Sequence, residues 1–199
     1  MVIFYQILFL ILTYLICAIP FGLVITKKFA KKDIRDLGSK NIGATNVARV
    51  AGKKLGFITL ILDGAKGWVM VTIARFYFCD ISNLHLFLVL VATISVLAHI
   101  YPIYLRFKGG KGVATSIAVL FALDTYVGLI ASCFWLLSFC LFHISSVSSI
   151  IAIFSAAIFS LQSGAPTIQI AFCWFLFILI LIRHKENLTR LSRGDEKKL

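Results

Sequence analysis

Long apolar runs separated by short basic islands dominate this chain. Met1 to Thr26 and Thr125 to Ile182 contain no Asp, Glu, Lys or Arg. A bilayer core about 30 Å thick takes roughly 20 helical residues per crossing, which sets spans near 2–26, 56–78 and 83–105. After Arg106 a mainly apolar length of about 70 residues has room for two long helices or four short ones. Polar breaks near Asp124, at His143 to Ser149 and at Gln162 to Thr167 favour four. The pattern predicts an all-α polytopic membrane helix bundle of about seven transmembrane helices. Residues 1–199 read as a single domain without internal repeats, low-complexity tracts or lipidation motifs.

Composition agrees. Of 199 residues 60% are hydrophobic and only 14% charged, with a mean hydropathy of +0.98, outside the range of soluble domains. Disorder, a nucleic-acid module and a disulfide scaffold are excluded. The formal net charge is +12, from 20 Lys and Arg against 8 Asp and Glu. Eighteen of the twenty basic residues fall in three islands: nine in Lys27 to Lys54, three in Arg106 to Lys111 and six in Arg183 to Lys198. The remaining loops carry Asp80 and Asp124 but almost no Lys or Arg. Islands on one face mark that face as cytoplasmic, so the N-terminus is expected outside and the C-terminus inside. The first apolar segment reads as a span, not a cleaved signal peptide, because no positive region precedes it. The five cysteines show no CxxC spacing and the four histidines no HExxH or carboxylate cluster, so no metal is expected.

Four segments could carry chemistry. Gly38 to Arg49 packs glycines, hydroxyls, carboxamides and cations into twelve positions. Glycines there let successive N–H groups turn toward one anion, Ser39 and Thr45 offer hydroxyls, and a helix starting near Thr45 or Asn46 adds its positive end. Arg49 can clamp an anion in bidentate fashion. A turn-rich loop facing anionic headgroups is an equally open reading. Lys108-Gly109-Gly110-Lys111-Gly112 repeats the theme, but Gly112 follows Lys111 where a Walker A loop needs Ser or Thr. It forms either a phosphate-sized cradle or a turn with snorkelling lysines. In Arg183 to Arg190, a continuous helix would place His184 and Asn187 on one face and let Glu186 pair with Arg190; His184 is then a proton carrier, a donor to a ligand, or a plain interfacial histidine. Asp63 and Lys66, one helical turn apart in an apolar span, are expected to neutralise one another as structural support.

Together these segments resemble the bacterial acyl-phosphate:glycerol-3-phosphate acyltransferase family. The resemblance covers nearly the whole chain: Ile19-Pro20-Phe21-Gly22, GSxNxGATNxxR at Gly38 to Arg49, DxxKG at Asp63 to Gly67, KGGKGVAT at Lys108 to Thr115, HKEN at His184 to Asn187, and the Gly194-Asp195-Glu196-Lys197 ending. Two positions depart from the family pattern, Lys40 and Ala98, where glycine is usual. The resemblance implies a membrane enzyme that acylates glycerol-3-phosphate from a fatty acyl phosphate, needing no cofactor and no obligatory protein partner. It implies that Ser39, Asn41, Gly43, Thr45 and Asn46 hold the acyl phosphate. Arg49, Lys108 or Lys111 with their neighbouring glycines (Gly109, Gly110, Gly112), His184 and Asn187 would hold glycerol-3-phosphate. His184, Ser39 and Asn187 are the implied catalytic candidates. Ser146 is the best match to a family serine after the fifth span, although Ser145, Ser148 and Ser149 crowd it, and Glu186 would support its own motif through hydrogen bonds.

The reaction so implied is direct attack of the 1-hydroxyl on the mixed anhydride, with phosphate leaving and the proton passing to His184 or to a donor phosphate oxygen. It places the enzyme in the bacterial cytoplasmic membrane, with three basic segments converging at the inner surface. A coenzyme A- or carrier-protein-dependent acyltransferase would carry His-x4-Asp, but the residues five after the four histidines are Leu90, Tyr104, Ser148 and Thr189. A transporter for a phosphorylated solute is the alternative of another class, and would show broken helices in matching halves.

Overall fold

A computed structural model describes residues 1–198, and every regular element among them is a helix. The chain forms two compact units, Met1–Val119 and Leu120 onward. The first opens with α1 (Val2–Cys17) and α2 (Phe21–Phe29), together a 28-residue apolar stretch. Pro20 separates them: it has no N–H to give the ladder and disfavours helical geometry at Ile19. The loop that follows leads into α3 (Ala44–Ala51), and Gly52, at φ 95°, turns the chain into α4 (Lys53–Tyr77). Next come α5 (Leu84–Ile100) and a 3₁₀ turn at Ile103–Leu105.

In this unit α1 packs on α4 and α5, α4 packs on α5, and α2 and α3 lie against α4. Small residues permit the closest approach, since dispersion contact rather than hydrophobic exclusion must hold helices together in lipid. A Cβ at Gly56 of α4 would lie 2.5 Å from Ala48 Cβ and 2.8 Å from its Cα. The loop before α3 has its own apolar core of Leu23, Ile34, Ile42 and Val47, against which Leu105 of the 3₁₀ turn also packs.

The helix α6 (Val113–Leu123) runs across the division between the units. The second unit contains α7 (Thr125–Phe142), α8 (Ser145–Gln162), α9 (Thr167–Arg183) and α10 (Lys185–Ser192). Asp124 caps α7 by accepting from Tyr126 N (2.9 Å) and Val127 N (3.2 Å), satisfying amides that would otherwise be orphaned. α8 packs on α7 and α9 through a buried row of small residues that includes Ser149, Ala152, Ala156 and Ser160.

Among the described residues five stretches are long and apolar enough to cross a membrane, or six if α9 and α10, bent by 57°, count as one. The four helices expected after Arg106 are present with breaks at the expected places. The departure from a count of about seven lies in α6, whose 11 residues extend only about 16 Å, half a bilayer core.

Gly56→Val should force α3 off α4 and lower stability by roughly 1–3 kcal/mol in denaturant unfolding of the detergent-solubilised protein. An unchanged midpoint would show that this contact contributes nothing.

Candidate active site

The loop from Asp33 to Gly43 is tied down from within. Arg35 binds Asp33 through Nε and Nη2 (2.9 and 2.7 Å), and Lys27 reaches the same carboxylate at 3.2 Å. Hydrogen bonds from Arg35 hold the Asp33 carboxyl well below the usual range. Deeper in, Asn46 is only 2% exposed. Its Oδ1 accepts from Ser39 N (2.8 Å), and its amide donates to the carbonyls of Leu37 (3.0 Å) and Asn41 (2.8 Å). Gly38, at φ 63°, has no alternative, because any Cβ would collide with Asn46 Oδ1. Asn41 Oδ1 accepts from Gly43 N at 2.8 Å, setting the turn that starts α3. Gly43 is the N-cap and supplies no side chain to the first α3 amides. Ser39 is exposed at the rim of this turn, with Thr45 and Arg49 half-buried on α3. Lys40 stands at φ 59°, the left-handed region that glycine adopts without strain.

Behind this loop lies the intramembrane ion pair. Lys66 Nζ is 3.0 Å from Asp63 Oδ1, both side chains are 3% exposed, and the pairing expected from their spacing is present. Lys66 also donates to the carbonyl of Ile19 at 2.9 Å and lies 5.7 Å from the centre of the Phe21 ring. The break at Pro20 releases that carbonyl, and so the Ile19-Pro20-Phe21-Gly22 segment becomes the seat of a buried ammonium. His99, at the end of α5, completes the cluster: Nδ1 is 3.0 Å from Lys66 Nζ and 3.6 Å from Asp63 Oδ1.

The Lys108–Thr115 loop is fastened to the same cluster. Gly109 N and Gly110 N donate to the carbonyls of Ile100 (3.0 Å) and His99 (3.2 Å), and Thr115 Oγ1 donates to the Asp63 carbonyl at 2.8 Å. Gly110 lies on the His99 ring, and a Cβ there would run into Nε2. Gly112 takes φ 88°. Lys108 is exposed and Lys111 half-buried.

In the second unit α9 ends at His184, whose Nδ1 contacts the Ile180 carbonyl at 2.8 Å. The bend redirects the polar face of α10, and Glu196 gathers it. Its Oε1 accepts from Ser146 Oγ (2.8 Å) and from Asn187 Nδ2 (2.5 Å), and its Oε2 pairs with Arg190 Nε at 2.8 Å. Burial alone would raise this carboxyl, but the hydrogen bonds from Asn187, Ser146 and Arg190 outweigh it and hold it below the ordinary glutamate value.

This corrects one expectation. Arg190 pairs with Glu196 and not with Glu186, which is exposed: both Glu186 and Arg190 lie on α10 at the i,i+4 spacing, but the turn at Gly194 (φ 76°) brings the tail back so that the buried Glu196 carboxylate takes Arg190 Nε. Ser146 stands apart from two serines beside it: Ser148 and Ser149 turn their hydroxyls back to the carbonyls of Ile144 and Ser145. Among the site residues expected from sequence, Ser39, Asn41, Gly43, Thr45, Asn46 and Arg49 share one loop and helix. Leu105 joins that loop's core three residues before Lys108. Ser146, His184 and Asn187 belong to the second unit. Sequence reasoning gave no role to His99 or Glu196. The only signals were their positions, one at the end of the helix before the lysine–glycine loop and the other in the tail segment that carries the resemblance.

The chain matches the family model described as glycerol-3-phosphate acyltransferase over residues 7–194. Relatives of that name include those of Caulobacter vibrioides, 43% identical across 94% of this chain and 84% of the relative, and Anaplasma phagocytophilum, 42% identical across 94% and 95%. Crystal structures of PlsY, an integral membrane glycerol 3-phosphate acyltransferase, superpose in the glycerol 3-phosphate form with a TM-score of 0.90 at 38% identity, covering 98% of this chain and 96% of that one. The lysophosphatidic acid form gives 0.87 at 37% identity, covering 98% and 95%.

Lys40→Gly should relieve the left-handed strain and raise stability by up to about 1 kcal/mol, measured by denaturant unfolding; a loss of stability would assign Lys40 a stabilising contact that outweighs the strain. Glu196→Gln should lower the melting temperature at neutral pH. Because the folded carboxyl titrates below its unfolded value, its stabilisation is present above the ordinary glutamate range and fades as pH falls through the folded value. The melting difference from the unsubstituted protein should therefore vanish in strongly acidic buffer, and a gap that persists there would rule out the ionised clasp.

Proposed function

The chain belongs to the glycerol-3-phosphate acyltransferase family and is a multi-pass membrane acyltransferase; from that premise we propose that it transfers a fatty acyl group from an acyl phosphate to the 1-hydroxyl of glycerol-3-phosphate. The products are lysophosphatidic acid and inorganic phosphate. The observation that carries the reading is the preorganised Gly38–Arg49 loop. Its carboxamide network leaves the N-terminal turn of α3 without a side-chain cap, with Ser39 held next to it and Arg49 in the last turn of the same short helix, as suits a site for phosphate. Two phosphate-bearing substrates call for two such sites, and the Lys108–Thr115 loop is the second.

In this reading Ser39, Asn41, Gly43 and Thr45 hold the acyl phosphate; Asn46, expected among them, is buried with its carboxamide spent on the loop's own backbone and positions that loop instead. Arg49, Lys108, Lys111, Asn187 and Ser146 engage glycerol-3-phosphate, with Gly109, Gly110 and Gly112 shaping the loop. Because a carbonyl only accepts, the His184 contact to Ile180 makes Nδ1 the donor, so the neutral ring offers Nε2 as its acceptor. That suits His184 to take the proton of the attacking hydroxyl, with a donor phosphate oxygen as the alternative acceptor. Phosphate is a good leaving group, so positioning and charge stabilisation supply most of the barrier reduction. The whole chain acts as one acyltransferase domain in the bacterial cytoplasmic membrane, N-terminus out and C-terminus in, with its basic segments and chemistry at the cytoplasmic face.

The purified protein in detergent should release phosphate and form lysophosphatidic acid from acyl phosphate and glycerol-3-phosphate, and should be inert with acyl-coenzyme A. Activity with the thioester instead would overturn the donor. His184→Gln should lower kcat by about 10²–10⁴-fold if the ring is the base; turnover that survives with only a raised KM for glycerol-3-phosphate assigns the proton to the donor phosphate.

A further inference from the structure

His99 is 5% exposed and sits between two features that the mechanism treats separately, the intramembrane ion pair and the lysine–glycine loop. Its protonation can be read from its partners. An ammonium carries three N–H donors and no acceptor. Lys66 aims at the Ile19 carbonyl (2.9 Å), Asp63 Oδ1 (3.0 Å) and His99 Nδ1 (3.0 Å). A protonated Nδ1 would face that ammonium donor to donor, so at this contact Nδ1 accepts. The ring is then neutral and its proton lies on Nε2, the edge that faces Gly110. The Asp63 contact to Nδ1, longer at 3.6 Å, yields to the Lys66 contact.

The loop has little freedom to stand off from this ring. Gly109 N and Gly110 N are bound to the last carbonyls of α5, Thr115 is bound to the Asp63 carbonyl, and Gly110 is close enough to Nε2 that no side chain fits between them. A displacement of the imidazole is therefore passed to the backbone between Lys108 and Gly112. Anion capture by backbone amides and short-range cations depends steeply on such positions.

We propose that His99 is a positioning residue: held in the Nε2–H form by Lys66 and Asp63, it braces the Lys108–Thr115 loop in the geometry that captures the phosphate of glycerol-3-phosphate. The phosphate-binding role of that loop rests on the function proposed above; the tautomer and its dependence on Lys66 do not.

The experiment uses the full chain in detergent, with ¹⁵N-labelled histidine and His99→Gln as the assignment control. At neutral pH the His99 signals should be those of a neutral ring protonated on Nε2, and Lys66→Met should abolish that preference. An imidazolium, or a proton on Nδ1, overturns the proposal. In kinetics, His99→Leu and Gly110→Ala should raise the glycerol-3-phosphate KM roughly tenfold with kcat and the acyl phosphate KM little changed. His99→Gln, whose amide can reach the Nε2 position, should recover most of the loss. A fall in kcat with both KM values unchanged, or equal loss in the Leu and Gln variants, overturns it. Should the unsubstituted protein not use acyl phosphate, the function proposed above fails while His99 is still decided: thermal protection by inorganic phosphate should need about tenfold more phosphate in His99→Leu, and an unshifted requirement refutes the brace.

Discussion

A lysine ammonium and an aspartate carboxylate buried in an apolar helix make the demand around which the first unit is organised. Either charge alone in that setting costs several kcal/mol, and even a pair needs its remaining hydrogen-bonding directions filled. Asp63 takes one direction of Lys66, and the rest are met from elsewhere in the unit. The proline break between α1 and α2 releases the Ile19 carbonyl, α5 ends where His99 reaches Lys66, and Thr115 closes on the Asp63 backbone. Features that look unrelated along the chain are parts of one arrangement for neutralising two charges away from water.

The glycine-rich loops follow from a second constraint, the need to fold a polar backbone tightly without leaving its groups unpaired. Around the Gly38–Arg49 segment one carboxamide, that of Asn46, meets four backbone groups at once, and the price is a chain path through the left-handed region at Gly38 and Lys40. In the Lys108–Thr115 segment the same end is reached by hanging the loop on the last carbonyls of α5. One loop is held by its own hydrogen bonds and the other by hydrogen bonds to α5 and α4, and a loop so held binds an anion with little ordering cost.

The second unit solves a related problem with a carboxylate in place of a carboxamide. Glu196 collects a serine from α8 and an asparagine and an arginine from α10, which fixes the bent end of α9 against the start of α8. The His184 ring helps to make the bend, since its Nδ1 is engaged by the Ile180 carbonyl at the point where the helix ends.

By itself the sequence determined the membrane-embedded helical class, the approximate limits of the spans, the three basic islands and the pairing of Asp63 with Lys66. Each depends on composition or on neighbours within one helical turn, where periodicity and spacing decide contact. The helix count was less legible, because α6 is apolar like its neighbours and differs only in length. The partner of Arg190, the commitment of Asn46 to its own loop and the entry of His99 into the charge pair were decided by tertiary structure alone. Those contacts join residues brought together by the turn at Gly194 beyond α10, the left-handed turn in the Gly38–Arg49 loop or the docking of one helix end on another, and a linear pattern carries no record of such geometry.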